Sequence, residues 1–165
     1  MTPMDLLHLR EGAPPPHRTL GWDWRRRFEA CAEEVSLELV GLNQTLTQLG
    51  LPIEKLFMLE LVLAEILNNV VEHAYADRGG GPISLDLSVR DGWIFCTITD
   101  QGAPMPNGHL PGARRYTPEE MALGDLPEGG FGWGLIHDMS DLLTYQRDGD
   151  LNRVSLGIDL ASETI

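Results

Sequence analysis

Lysine is almost absent from this chain of 165 residues, with Lys55 the sole example. A phosphate loop of the Gly-x-x-x-x-Gly-Lys type needs its lysine, and a eukaryotic-type kinase needs one on a strand to grip phosphates. Lys55 stands in Pro52-Ile-Glu-Lys55-Leu and meets neither pattern. Basic residues are scarce in general, 12 against 25 acidic, and the net charge of −13 argues against a broad nucleic-acid surface. That charge suits a basic protein partner, and equally a merely soluble surface. The two cysteines, Cys31 and Cys96, stand alone at apolar-face positions. They read as buried free thiols of a cytoplasmic protein rather than as a metal site. No apolar run approaches the roughly 18 residues of a membrane-spanning helix. Residues 1–20, with Pro14-Pro15-Pro16, lack the apolar core of a secretory signal and read as a loose arm. Residues 21–165 are then one domain, long enough for a sizeable core.

What is present is organised by periodicity. Phe28, Cys31, Val35, Leu39, Leu42, Leu46 and Leu49 recur at three- and four-residue steps, which predicts an amphipathic helix ended by Gly50. Pro52 opens a second helix that runs to about Ala76. After the Asp77–Pro82 break, Ile83, Leu85, Leu87 and Val89 alternate with polar residues, as a half-buried strand does. Asp91-Gly92 is a two-residue hairpin signal, so facing residues sum to 183 and Ile83 lies opposite Asp100. Asp100 thus falls on the inward face with Ile94, Cys96 and Ile98, where a carboxylate needs a donor.

Residues 101–132, rich in Gly and Pro, read as a functional loop or lid. A short helix over Leu135–Asp141 follows. A closing hairpin pairs Leu142–Arg147 with Arg153–Leu160, with Val154, Leu156, Ile158 and Leu160 inward. The order is helix, helix, two strands, lid, short helix, two strands. It predicts a two-layer α/β (α+β) sandwich, a mixed or antiparallel sheet covered on one face by helices.

Three polar clusters interrupt this pattern. Glu65, Asn69 and His73 are spaced i, i+4, i+8 and stack on one side of an otherwise oily helix. Buried carboxylate and carboxamide groups are costly there unless something bonds to them. Asp100-Gln101-Gly102 sets the inward carboxylate beside a glycine that admits a ligand to the backbone. Gly129-Gly130-Phe131-Gly132-Trp133-Gly134-Leu135 runs glycines into a helix start, which suits an anion. Each alone has a bland explanation: a satisfied core network, a turn, a flexible loop. His73 reads as a structural hydrogen-bond donor rather than a catalyst.

In this order and spacing, the clusters resemble the histidine-kinase-like ATPase superfamily, and within it the bacterial anti-sigma factor serine/threonine kinases. Glu65 through Tyr75 is similar to that family's N-box. Asp100-Gln-Gly102 and Gly129 through Ile136 are similar to its two glycine boxes, and Asp141 through Val154 to its final hairpin. The resemblance implies a Bergerat-type ATP-binding fold using ATP and Mg²⁺. It implies Glu65 as general base, Asn69 as Mg²⁺ ligand and Asp100 as reader of the adenine amino group. Gly102, Gly130, Gly132 and Gly134 become walls and lid around the nucleotide. From its place in the lid, Arg115, or its neighbour Arg114, is a further phosphate contact. Ala103-Pro104 departs from the family pattern, which often has another glycine there.

The implied function is a cytoplasmic, homodimeric kinase that phosphorylates a small anti-sigma factor antagonist and otherwise sequesters a sigma factor. The alternatives are an ATP-binding switch without kinase activity, against which Glu65 counts, and the catalytic half of a two-component histidine kinase. The latter needs a phosphoacceptor helix for which this chain lacks room.

Overall fold

A computed structural model describes residues 21–112 and 131–162. The chain forms an antiparallel five-stranded sheet with strand order β1-β2-β3-β5-β4. The strands are β1 (Trp22–Glu29), β2 (Pro82–Arg90), β3 (Trp93–Asp100), β4 (Leu142–Asp148) and β5 (Leu151–Asp159). Helices α1 (Ala32–Gln48), α2 (Ile53–Asn69) and α3 (Phe131–Met139) accompany it. The two-layer α+β reading therefore holds.

The central hairpin has the register that its turn demands. Val89 faces Ile94, Leu87 faces Cys96, Leu85 faces Ile98 and Ile83 faces Asp100. Asp91 and Gly92 both have positive φ, 52° and 79°, as a two-residue turn matched to strand twist requires. One face of each central strand is consequently buried, residue after alternate residue.

Two expectations need correction. The first helix does not begin at Phe28. That residue lies in β1, an edge strand on which Trp22, Trp24, Arg26 and Phe28 face Val89, Leu87, Leu85 and Ile83 of β2. The Phe28–Cys31–Val35 spacing mimics helical periodicity across the strand-to-helix junction. Arg26 breaks the period-two pattern by placing a charge on the inward face at the sheet edge. Its guanidinium lies 4.0 Å from the Trp24 ring centroid and 3.7 Å from Glu38, so the charge has partners while remaining exposed. An inward charge of this kind also discourages pairing with another chain's edge. Second, Cys96 is buried as expected, but Cys31 is only half-buried, at the N-terminal boundary of α1.

The lone lysine is structural. Lys55 is 4% exposed and its Nζ donates to Ser162 Oγ at 2.7 Å. It thereby fastens the start of α2 to the chain beyond β5. No helix among the described residues is long and apolar enough to cross a membrane.

Tyr75 joins the layers at the other end. Its phenol donates to Pro82 O at 2.7 Å and accepts the Gln101 N–H at 2.8 Å. Burial raises its pKa above the ordinary phenolic value, partly opposed by the Gln101 hydrogen bond. Tyr75→Phe should lower stability by about 1–3 kcal/mol, because it strands a buried N–H and a carbonyl, and urea unfolding measures this. Burial likewise pushes the Cys96 thiol well up. A thiol reagent should therefore label Cys31 in the native protein and Cys96 only on unfolding.

Candidate nucleotide site

The site is assembled on α2 and its continuation. Helix α2 buries Leu56, Leu59, Val62, Leu63, Ile66 and Leu67, while Ile53 and Phe57 stand exposed. The helix is thus amphipathic rather than buried all round, and the polar stripe lies at the margin of the core. Glu65 and Asn69 are both half-buried there. Neither side chain has a hydrogen-bond partner among the described residues, and Asn69 Nδ2 is a buried donor left unsatisfied. Such groups are rare enough in folded proteins to demand a cause.

Directly after Asn69 the backbone widens into a π-helical turn, Val70–Ala74, closed by Tyr75 N–H to Val70 O at 3.1 Å. The wider turn rotates His73 away from the line of Glu65 and Asn69. His73 is exposed. Its expected role as a structural hydrogen-bond donor is not seen among the described residues, and the i, i+8 extension of the stripe fails for this geometric reason.

The two glycine-bearing segments meet this helix. A Cβ at Gly102 would strike the carbonyl oxygen of Ala74 and come within 2.6 Å of its Cβ. Ala103 N–H donates to Ala74 O at 2.7 Å. A Cβ at Gly132 would collide with the Glu65 carboxylate. Gly132 and Gly134 lie within α3, which begins at Phe131 rather than near Leu135 as the composition suggests. Tertiary contact overrides the poor helix propensity of glycine there, since only the bare backbone lets Glu65 approach the first turn of α3. A carboxylate is favoured at that positive helix end. Glu65, Gly102 and Gly132 are thus brought to one helix, while Gly129, Gly130, Arg114 and Arg115 lie outside the described residues.

Asp100 is 4% exposed at the end of β3. Its Oδ1 accepts the Gly102 N–H at 2.8 Å and Asn152 Nδ2 at 2.7 Å. Its Oδ2 has no hydrogen-bond partner among the described residues. The segment after it is held on every side. Arg78 Nη1 donates to Gln101 O at 2.7 Å, Arg147 Nη1 to Gly102 O at 3.0 Å, and Met105 N–H to the Tyr145 hydroxyl at 3.1 Å. This rigidity is unexpected for a stretch read as the start of a lid.

Asn152, 3% exposed, is the residue that sequence reasoning missed. A signal existed: stepping back two residues from the inward Val154 places Asn152 inward as well, opposite Asp100 in the β3–β5 ladder. Elsewhere, a slot between α1 and α2 is lined mainly by leucines, including Leu42, Leu46, Leu59 and Leu63. It is too apolar to hold a phosphate.

Residues 28–158 match the model of the histidine kinase-like ATPase domain. An anti-sigma F factor of Bacillus licheniformis is 25% identical over 115 residues, covering 70% of this chain and 76% of that protein. The serine-protein kinase RsbW of Oceanobacillus iheyensis is 29% identical over 116 residues, covering 70% and 73%. The serine/threonine-protein kinase BtrW of Bordetella bronchiseptica is 31% identical over 108 residues, covering 66% and 73%. The fold is also similar to a crystal structure of the RsbU and RsbW domains of Rv1364c from Mycobacterium tuberculosis, with a TM-score of 0.58 at 14% identity. That match covers 83% of this chain and 32% of the other, and it bears on the fold alone.

The contact between Gly102 and Ala74 leaves no room for a side chain against rigid backbone. Gly102→Ala should destabilise the protein by about 1–3 kcal/mol, read as a lower urea midpoint, because the loop or the π-helical turn must move.

Proposed function

The chain belongs to the histidine kinase-like ATPase family, and from that premise we propose that it is an ATP-dependent serine/threonine protein kinase of a partner-switching system. Its substrate is a small anti-sigma factor antagonist, and in the alternative partner state it holds a sigma factor. The names of its relatives, an anti-sigma F factor and the kinases RsbW and BtrW, support this reading. One observation carries the chemistry. Glu65 and Asn69 sit on successive turns of one helix face with no side-chain partner among the described residues, and Asn69 Nδ2 is buried and unsatisfied.

Phosphoryl transfer depends on positioning and charge stabilisation more than on covalent chemistry from the protein. Asp100 takes the exocyclic amine of adenine through Oδ2, the oxygen that no donor among the described residues occupies. Glu65, on the same side of α2 as Asn69, accepts the proton of the attacking hydroxyl. Asn69 offers a carboxamide oxygen as the protein's ligand to Mg²⁺. Among the described residues no group of three or more His, Cys, Asp or Glu could hold a metal. Mg²⁺ characteristically takes one or two protein oxygens and completes its shell with phosphates and water. When bound, the ion would supply positive charge to the triphosphate, beside the positive end of α3 and Arg114 or Arg115.

The roles separate experimentally. Glu65→Gln should bind ATP normally yet transfer the γ-phosphate to a small antagonist protein at least about 100-fold more slowly. Radiolabel transfer checks this, and an unchanged rate would place the base elsewhere. Asn69→Ala should lose Mg²⁺-dependent ATP binding by calorimetry. Nucleotide binding by the native chain with no transfer to any antagonist would reduce the protein to an ATP-binding switch.

A further inference from the structure

Helix α2 has two apolar faces. Leu59, Val62, Leu63 and Ile66 are fully buried in the core. On the opposite side Ile53, Phe57, Leu61 and Ala64 recur at i, i+4, i+8 and i+11, so they form one stripe along the helix. Ile53 is 75% exposed and Phe57 61%, while Leu61 and Ala64 are half-buried. Helix α1 extends the stripe. Asn43 Nδ2 donates to Glu60 Oε2 at 2.6 Å, which sets the two antiparallel helices level at that point. Val40, almost one turn before Asn43, then stands level with Ala64, one turn beyond Glu60, and Leu37 follows it. Both Val40 and Leu37 are exposed. The leucine-lined slot between the helices includes Asn43 and the exposed Glu60 in its lining, so it reaches the same surface. A contiguous apolar surface of this kind marks an interaction site.

The charges around the stripe are of one sign. Between Ala32 and Asn69 the acidic residues are Glu33, Glu34, Glu38, Glu54, Glu60 and Glu65, and Lys55 is the one basic residue. Lys55 is buried and bonded to Ser162, so it offers nothing to a partner here. Glu38 is engaged by Arg26, and Glu65 faces Gly132. Helical geometry places Glu54 and Glu60 on the two flanks of the stripe, and Glu33 one turn from Leu37. All three are exposed. A second copy of this chain would bring the same glutamates against these, and like charges across an interface oppose it. An occupant of the stripe therefore has to carry the opposite charge.

We propose that the outward side of the α1–α2 hairpin is a docking surface for a basic amphipathic helix of a protein partner. The apolar residues of that helix cover Ile53, Phe57 and Leu61, and its lysines and arginines face Glu33, Glu54 and Glu60. A helix suits the surface because side chains at three- and four-residue steps form ridges that another helix's ridges fit. An extended segment would find no sheet edge here to bond its backbone. Glu65 and Asn69 lie on another side of α2, so the docking surface and the candidate nucleotide site do not overlap.

The probe is a fluorescein-labelled 17-residue peptide, the length of α2, built from leucine and lysine in a helical Leu-Lys-Lys-Leu-Leu-Lys-Leu pattern. Its counterpart carries glutamate in place of each lysine. In fluorescence-anisotropy titrations of the full chain, the lysine peptide should bind at least about tenfold more tightly than the glutamate peptide. Phe57→Asp should weaken the lysine peptide at least about tenfold, although it adds a negative charge. Glu54→Lys should weaken it at least about fivefold, while Asp148→Lys, an equal charge change at an exposed position in β4, should leave it within about twofold. Phe57 and Glu54 are exposed, so these variants should fold, and Ile53→Asp replaces Phe57→Asp if that variant does not. Binding unchanged by Phe57→Asp, or weakened as much by Asp148→Lys as by Glu54→Lys, overturns the proposal, because the attraction is then not specific to the stripe. Failure of the native chain to bind overturns it too, whether the face is bare or covered by residues 1–20. Sedimentation velocity without peptide tests the remaining occupant. Self-association that Phe57→Asp abolishes assigns the face to a second copy, and that also overturns the proposal.

Discussion

A buried carboxylate is the constraint around which this structure is arranged. Asp100 lies at the end of a central strand with almost no exposure, where an uncompensated charge would destabilise the fold severely. Asn152 and the Gly102 N–H compensate one oxygen, and the donors behind Asn152 fix the geometry of that compensation. The loop that follows is thereby fixed too. Its carbonyls receive Arg78 and Arg147, its N–H groups reach Asp100, Tyr75 and Ala74, and Gly102 lies against the end of the π-helical turn. Asp100 and the helix carrying Glu65 and Asn69 are therefore held in one frame rather than on independently mobile segments. Such a frame would preorganise the proposed nucleotide site.

The distribution of positive charge follows the same logic. The single lysine is committed to Ser162, and Arg78 and Arg147 are committed to carbonyls of the loop. Within the described residues these cations serve the fold. On the proposed reading a triphosphate beside α2 would draw on the positive end of α3, on a metal ion at Asn69 and on Arg114 or Arg115. The acidic character of the chain is compatible with nucleotide binding on those terms, and it remains suited to a basic protein partner.

Much of the frame was legible in the residues because it rests on strictly local rules. Alternation in β2 and β3, together with the Asp91-Gly92 turn, specifies the register that buries Asp100. Helical spacing places Glu65 and Asn69 on one side of α2. What escaped was set by contacts between elements. Strand β1 was hidden because Arg26 interrupts its alternation and Phe28 happens to fall in phase with α1. The early start of α3 escaped because two glycines argue against a helix, and only contact with Glu65 gives a reason for Gly132. The π-helical turn that carries His73 off the stripe has no local signature. Asn152 was the nearest miss, since continuing the β5 alternation inward would have put it opposite Asp100.

We propose that this frame offers Asp100 Oδ2, which has no hydrogen-bond partner among the described residues, as the acceptor for a nucleotide held through Mg²⁺ and Asn69. Calorimetric titration of the native chain with ATP and GTP, each with and without Mg²⁺, tests it most directly. ATP should bind in a Mg²⁺-dependent way, with GTP at least about tenfold weaker. Equal affinity for the two nucleotides, or ATP binding indifferent to Mg²⁺, would contradict it.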